Sequence, residues 1–123
     1  MIHLDTSFLI RSLQAGSSQD QKLRSWIAEG QTLRISAVAW TEFLCGPISL
    51  FDMSLASRVV GQRRDYTPEH AAIAARLFNE SGRRRGSLID CMIAATAIAD
   101  NAAIATANTS DFRRFEGFGL TIV

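Results

Sequence analysis

The chain has 123 residues, of which 47% are apolar and 20% charged, and its formal net charge is +1. This length fits one folded domain, residues 1–123, and the composition excludes a disordered chain, a fibrous protein and a strongly basic nucleic-acid coat protein. No uncharged apolar run approaches the roughly 20 residues that cross a bilayer, and the N-terminus lacks the pattern of a signal peptide.

Short apolar runs alternate with stretches of helical periodicity along the whole chain. In chain order the sequence predicts a strand at 2–5, helices at 6–13 and 21–29, a strand at 33–36, helices at 37–45 and 51–61, a short strand within 65–68, helices at 69–79 and 88–99, a strand at 102–106, a helical turn at 110–115 and a strand at 120–123. Ser36 and Ser87 are predicted helix caps. Strands that alternate with helices and read as continuous apolar runs predict an α/β domain with a mainly parallel sheet, covered on both faces.

The cysteines and histidines carry little functional signal. Cys45 and Cys91 both lie in apolar runs, so we expect two buried thiols without a disulfide, which suits the reducing cytoplasm. No histidine stands near either cysteine, which argues against a zinc site. His3 and His70 are expected to pack in the core or on the surface.

Carboxylates stand where a folded protein usually avoids them. Asp5 ends an apolar strand, whereas Glu42 and Asp90 are each the only charge in a long apolar stretch. A lone carboxylate in apolar surroundings costs several kcal/mol unless a donor, a cation or a metal offsets its charge. These residues are therefore candidates for a metal site.

Most of these acids also have a purely structural interpretation. Asp5 is placed to cap the first helix, Asp90 to complete a capping box with Ser87, and Asp111 to interact favourably with the N-terminus of a helical turn. Glu42 has no such role, because a glutamate in mid-helix caps nothing.

Considered together, the acids predict one site. Ligands bind at the carboxyl ends of the strands in open parallel sheets. Asp5 ends the first strand, Asp111 follows the fourth, and Asp90 begins the helix between them in the chain. If the first and fourth strands are neighbours, these groups converge with Glu42 into an all-oxygen site that suits Mg²⁺ or Mn²⁺.

Four segments of the chain together resemble PIN domains, and most closely the VapC-type toxins of bacterial toxin–antitoxin pairs. The matching segments are IHLDTSFLI with Asp5, ISAVAWTEFL with Glu42, LIDCMIAATA with Asp90 and ATANTSDF with Asp111. The resemblance implies a three-layer α/β/α fold around a five-stranded parallel sheet. It also implies an Mg²⁺- or Mn²⁺-dependent endoribonuclease that cleaves RNA such as tRNA or rRNA.

The resemblance further assigns roles to individual residues. Its acidic quartet, catalytic and metal-binding, matches Asp5, Glu42, Asp90 and Asp111, and its nearby polar positions match Thr6 and Asn108. It implies a homodimer and a small antitoxin protein that covers the site, often with an arginine inserted among the acids. Many relatives carry an arginine where this chain has Ala107, so one contact to phosphate or to nearby structure is missing.

Arg83, Arg84 and Arg85 lie in a predicted loop just before the helix of Asp90. We expect them to contact RNA phosphates, which would give salt-dependent binding with little sequence information. A solvated loop and a surface that faces the antitoxin are the alternatives.

Two other functions and one partner surface are open at this stage. A PIN-like regulator would bind RNA or an antitoxin without cleavage. A phosphoryl-transfer domain with Asp5 as nucleophile is disfavoured, because such sites use further acids beside the strand and a late lysine, whereas the sole lysine is Lys22. An apolar partner surface is predicted, with core packing as its alternative, around Trp40, Phe43, Leu44, Ile48 and Phe51.

Overall fold

Five strands form one sheet in which all neighbouring strands are parallel. The computed structural model describes residues 1–123. Its strands are β1 (Ile2–Leu4), β2 (Leu33–Ser36), β3 (Arg63–Arg64), β4 (Ala103–Ala105) and β5 (Thr121–Ile122). Their order across the sheet is β3-β2-β1-β4-β5. The predicted three-layer α/β/α fold with a five-stranded parallel sheet is confirmed.

Helices connect the strands and cover both faces of the sheet. They are α1 (Thr6–Ser12), α2 (Ser18–Ala28), α3 (Ala37–Cys45), α4 (Leu50–Val60), α5 (Pro68–Glu80), α6 (Leu88–Ala99) and α7 (Thr109–Phe112), followed by a 3-10 helix (Arg113–Phe118). Parallel strands need such crossover connections, because a tight turn cannot return the chain in the same direction. No helix is long and apolar enough to span a membrane.

The strand order reverses direction between β1 and β4. The chain moves outward from β1 through β2 to β3, then returns past β1 to add β4 and β5 on the other side. In register, His3 of β1 is the partner of Arg34 in β2 and of Ile104 in β4. The carboxyl ends of β1 and β4 therefore border the crevice where open α/β sheets bind ligands.

The core is contributed by both the sheet and the helices. Its largest fully buried apolar side chains are Phe8, Phe43, Phe112, Phe115, Leu4, Leu9, Ile35, Leu77, Ile93 and Ile104. In α6, Ala94, Ala95 and Ala97 are also fully buried. Small side chains let this helix lie close to the sheet, and that proximity fixes the position of Asp90 in its first turn.

Several predicted boundaries differ from the structure. Helix α2 begins at Ser18, earlier than predicted, because the side chain of Ser17 accepts a hydrogen bond from the backbone of Asp20. The third strand occupies Arg63–Arg64 rather than 65–68. It is a two-residue polar edge strand, which lacks the apolar run by which buried strands are recognised.

Two of the side-chain predictions were wrong. Ser87 stands at the N-cap of α6, but its hydroxyl donates to the carbonyl of Arg84, 2.6 Å away, instead of accepting from the helix. Cys91 is buried, whereas Cys45 is exposed because it ends α3 on the outer side of that helix. Both thiols are free.

The predicted partner surface is divided between core and surface. Phe43 belongs to the core, and Trp40 and Ile48 are partly buried against it. Leu44 and Phe51 are exposed, the latter 73%. Core packing therefore accounts for Phe43, and only part of the predicted patch is accessible.

Both histidines have structural roles away from the acids. His70 completes a capping box at the start of α5 with Thr67. His3 is buried, and its Nε2 donates to Asp100 at 2.8 Å. Arg64 also binds Asp100, with Nε 2.9 Å from Oδ1, so this carboxylate ties β1 and β3 to the end of α6.

Asp100 is stabilised as an anion by these two partners. Burial alone would raise the pKa of Asp100, but hydrogen bonds from Arg64 and His3 outweigh it and lower the pKa below its usual range. Burial lowers the pKa of His3, and the hydrogen bond to Asp100 opposes that shift only in part.

We predict that Asp100→Ala lowers the free energy of unfolding by about 2–4 kcal/mol, because it leaves a buried imidazole and a guanidinium without their acceptor. Urea denaturation measures the change. Asp65→Ala is the matched control, since Asp65 is exposed and makes no ion pair, and it should change stability by less than about 0.5 kcal/mol. Equal losses in the two variants would contradict the role given to Asp100.

Candidate functional site

Asp5 stands between β1 and α1, at the edge of the sheet where the strand order reverses. Its side chain does not cap α1, which excludes the structural interpretation of this residue. Instead, Oδ2 accepts hydrogen bonds from the hydroxyls of Ser7 at 2.6 Å and Thr106 at 2.8 Å. The residue is only 4% exposed, and Oδ1 receives no hydrogen bond from the protein. One carboxylate oxygen is thus fixed in place and the other is free for a ligand.

The loop after β4 orients the two hydroxyls that hold Asp5. The backbone N–H of Ala107 donates to Ser7 Oγ, and that of Asn108 donates to Thr106 Oγ1, each at 3.0 Å. Each hydroxyl oxygen therefore already accepts one hydrogen bond, and its proton is directed to Asp5. The contact from Ala107 to Ser7 is made by the backbone N–H. It therefore does not depend on which side chain stands at position 107.

Glu42 approaches the site from α3. The hydroxyl of Thr6 lies 2.8 Å from the carbonyl of Ala39 and 3.2 Å from Glu42 Oε1, which connects α1 to α3. Glu42 is exposed on α3, although it stands in an apolar stretch of the sequence. Desolvation of its carboxylate still raises the pKa of Glu42, the hydrogen bond from Thr6 opposes this, and the charge of Asp5 adds to it.

Asp90 lies in the first turn of α6 and is shared by two adjoining concavities. One concavity, here called the acid concavity, is lined by Asp5, Thr6, Ser7, Ile10, Glu42, Asp90 and Asn108. The other, here called the arginine concavity, is lined by Arg84, Arg85, Gly86, Ser87, Asp90, Asp111 and Arg114. Of the predicted acids, three therefore border one space, and Asp111 lies on the far side of Asp90.

The pKa of Asp90 is shifted by the charges of the neighbouring acids. Burial, then the charges of Asp5 and Asp111, raise the pKa of Asp90 to about 6, with a smaller contribution from Glu42. Arg114 lowers it, but Nη2 of Arg114 is 4.0 Å from Asp90 Oδ2, too long for a hydrogen bond. The acids therefore repel one another, and Arg114 offsets that repulsion only in part.

The donor set is suited to a hard divalent metal. All candidate ligands are carboxylate oxygens, which Mg²⁺ and Mn²⁺ prefer. No three Asp, Glu, His or Cys side chains stand close enough to chelate one ion directly. Mg²⁺ fits such a spacing, because it usually keeps several water ligands and binds through one or two carboxylates.

Two of the three loop arginines face the site. Arg84 and Arg85 line the arginine concavity, whereas Arg83 hydrogen-bonds Asn79 and stacks on Phe78. The sequence reasoning missed Ser7, Thr106 and Arg114. Ser7 and Thr106 had one usable signal, which is that hydroxyl residues directly follow or end the strands that carry the acids.

A family model matches most of the chain. The family model of the PIN domain matches residues 2–117, so the chain belongs to the PIN domain family. PIN domains are generally nucleases. No curated protein sequence matches the chain significantly.

Solved structures with the same fold come from toxin–antitoxin complexes. A chain of VapBC2 from Rickettsia felis, bound to a promoter DNA fragment, is 19% identical with a TM-score of 0.75, and the match covers 100% of this chain and 98% of that one. A chain of a toxin–antitoxin complex from Klebsiella pneumoniae is 23% identical with a TM-score of 0.74, covering 92% and 91%. A chain of FitAcB from Neisseria gonorrhoeae is 20% identical with a TM-score of 0.74, covering 99% and 96%. These similarities establish a shared fold.

We predict that Asp90 destabilises the metal-free protein increasingly as the pH rises from about 4 to about 6, whereas His3, whose pKa is lowered, contributes in the opposite direction. In this range the folded protein keeps a proton on Asp90 that the unfolded chain, with a pKa near 3.8, has released. Asp90→Asn removes the unfavourable charge at this position. At pH 7 in EDTA, the free energy of unfolding of the variant should therefore be higher than that of wild type by about 1–2 kcal/mol. Urea denaturation at several pH values tests this. Glu116→Gln, an exposed acid outside both concavities, should follow the wild-type profile, and parallel profiles for Asp90→Asn and wild type would refute the prediction.

Proposed function

We propose that this protein is a metal-dependent endoribonuclease that cleaves RNA phosphodiester bonds, acting as the toxin of a toxin–antitoxin pair in the cytoplasm. The observation that carries the proposal is the acid concavity, where Asp5, Glu42 and Asp90 meet at the edge of the sheet between β1 and β4. Membership of the PIN family supports a nuclease, and the acids supply the ligands that such chemistry needs.

Asp5, Glu42, Asp90 and Asp111 would hold Mg²⁺, or Mn²⁺ in its place, partly through water ligands, since no three of them lie close enough to bind one ion directly. When bound, such an ion lowers the pKa of a water ligand and offsets charge that develops on the phosphate. Ser7 and Thr106 restrain Asp5 so that Oδ1 is available to the ion. Thr6 restrains Glu42 through Oε1, and Asn108 adds a polar side chain at the rim.

Asp90 must be ionised to serve as a ligand. Because its pKa is raised to about 6, protons compete with the metal in mildly acidic solution, and metal affinity should increase with pH up to neutrality. Metal binding in turn removes the repulsion among the acids, so it should stabilise the fold by mass action.

We predict metal-dependent cuts when the purified chain is incubated with total cellular RNA. Mg²⁺ or Mn²⁺ should give discrete products that EDTA abolishes, and Asp90→Asn should lower the rate by at least about 100-fold, because a metal ligand is lost. Glu116→Gln is the matched control and should cleave like wild type. Equal cleavage by Asp90→Asn and wild type would contradict the site assignment. RNA binding with no cleavage in any lane would favour the alternative function, a PIN-like regulator.

An antitoxin partner is the second part of the proposal. An apolar groove beside α1 and α3 is lined partly by Ile10, Leu13, Phe43 and Ile48, and Ile10 also borders the acid concavity. A partner segment seated in the groove would therefore reach the acids. The solved structures named above contain antitoxins in complex with their toxins, which supports this kind of partner.

We predict that the double substitution Leu50→Ser and Phe51→Ser weakens binding of the cognate antitoxin at least tenfold. These side chains, 89% and 73% exposed, begin α4 next to the groove. Titration of the antitoxin into the cleavage assay measures the effect through loss of inhibition. Ile27→Ser, an equally apolar exposed change on α2, is the control. Unaltered inhibition of the double variant would place the antitoxin elsewhere.

A homodimer is also proposed, and it needs an interface of roughly 1,000 Å² or more. Sedimentation of the purified chain as a monomer at micromolar concentration would remove this part of the proposal.

A further inference from the structure

The arginine concavity adjoins the acid concavity and differs from it in having three arginines beside its two acids, Asp90 and Asp111. Arg84 and Arg85 are exposed, and neither makes an ion pair or a side-chain hydrogen bond within the protein. Arg114 completes the group from the 3-10 helix, and no apolar side chain lines the space. Three arginines with no carboxylate partner at hydrogen-bond distance thus border a space next to Asp90.

Arg114 is the least expected member of this group. Its side chain is 18% exposed, and its Nε and Nη2 are buried without a hydrogen-bond partner. Buried donors that stay unpaired are costly, so such atoms in a folded protein call for an explanation. Asp90 does not supply one, because Oδ2 lies 4.0 Å from Nη2.

Packing holds the Arg114 guanidinium in place, against the ring of Phe115 and close to the thiol of Cys91. The group lies over the ring of Phe115, with its central carbon 4.5 Å from the ring centroid, and Phe115 is fully buried. The planar guanidinium is therefore restrained before any ligand arrives. Two of its nitrogens, Nε and Nη2, are buried, so the remaining nitrogen, Nη1, is the one left to donate to a phosphate oxygen.

We propose that Arg114, together with Arg84 and Arg85, forms a subsite for phosphates of the RNA strand, and that Arg114 binds the phosphate nearest Asp90. This inference rests on the proposed ribonuclease function and adds a residue that positions the substrate. The adjoining acids would repel a phosphate, so the arginines supply the attraction that brings the strand to the metal. An acidic segment of a partner protein is the competing occupant.

Binding of a fluorescein-labelled single-stranded RNA of about twelve nucleotides, measured by anisotropy in EDTA over a range of salt, tests the subsite without cleavage. Each phosphate contact on a single strand contributes about 0.7 to the slope of log K against log salt concentration. Arg114→Gln should reduce that slope by about 0.7, and Arg84→Gln with Arg85→Gln by about 1.4. Arg114→Lys should keep most of the slope, because the charge remains.

Arg113→Gln is the matched control, since Arg113 is the exposed neighbour in the chain and lines neither concavity. Arg83→Gln is a second control in the loop. Circular dichroism of each variant establishes that it is folded, and the loop variants keep the test valid if Arg114→Gln is unstable. Unchanged slopes in both the Arg114 and the loop variants, or no RNA binding by wild type, would overturn the subsite.

Cleavage of the same RNA at saturating Mg²⁺ separates this inference from the proposed function. If wild type cleaves, Arg114→Gln should lower kcat/KM by about 10- to 100-fold, and Arg113→Gln should not. If wild type fails to cleave but the slopes change as stated, the ribonuclease proposal fails and the phosphate subsite stands. The salt slope of RNA binding could instead be unchanged in every arginine variant while Arg114→Gln loses antitoxin binding. That result would overturn the phosphate subsite and assign the arginine concavity to the partner protein.

Discussion

Parallel pairing of β1 with β4 joins the two chain segments on which the rest of the site depends. Asp5 ends one strand and Thr106 follows the other, and their side chains hydrogen-bond although they are 101 positions apart in the chain. The loop after β4 also orients Ser7 through a backbone N–H. Asp5 is consequently held from both strands at once, and the other acids are arranged around it by helices that pack on this part of the sheet.

The same arrangement places like charges close together, and this has an energetic consequence. The charges of the three other acids act on Asp90, and Arg114, 4.0 Å away, compensates them only in part. A fold gains nothing in stability from such a cluster, whereas a metal site requires one. Titratable groups with shifted pKa values in a cleft are a common mark of functional sites for this reason.

Asp90 divides the region into an acidic and a basic half. On one side are Asp5 and Glu42, suited to a divalent cation, and on the other are three arginines suited to phosphate, with Asp111 among them. A nucleic-acid strand that is to be cut needs both, because the cation acts on one phosphate while the strand must be held against repulsion from the acids. The acid and arginine concavities together therefore suit one nucleic-acid strand better than two unrelated ligands.

Periodicity and apolar runs were enough to predict the α/β fold and most of the elements. Strand β2 and helix α3 have the predicted bounds, because a buried apolar run and the cap at Ser36 mark them clearly. The pair Arg63–Arg64 was missed, since a short polar edge strand leaves no such mark. A helix or strand was predictable from the sequence where the burial of its apolar side chains determines its position.

The contacts within the site were harder to anticipate from the sequence. Sequence patterns indicate that Asp5 ends a strand, but not that hydroxyls of Ser7 and Thr106 would reach it across the sheet. Arg113 and Arg114 are alike in sequence, and only the 3-10 turn decides that the second faces inward. Which of two such neighbours faces inward depends on tertiary packing, and the residues adjacent in the sequence do not indicate it.

If the acid concavity is a metal site, a divalent ion should be found between its carboxylates. Anomalous scattering from crystals of the protein soaked in Mn²⁺ would locate the ion without reference to any substrate. We expect an anomalous peak in the acid concavity between the carboxylates of Asp5 and Asp90, and its loss in crystals of Asp5→Asn. A peak at another place in the molecule, no peak at millimolar Mn²⁺, or an unchanged peak in the variant would contradict the proposed metal site.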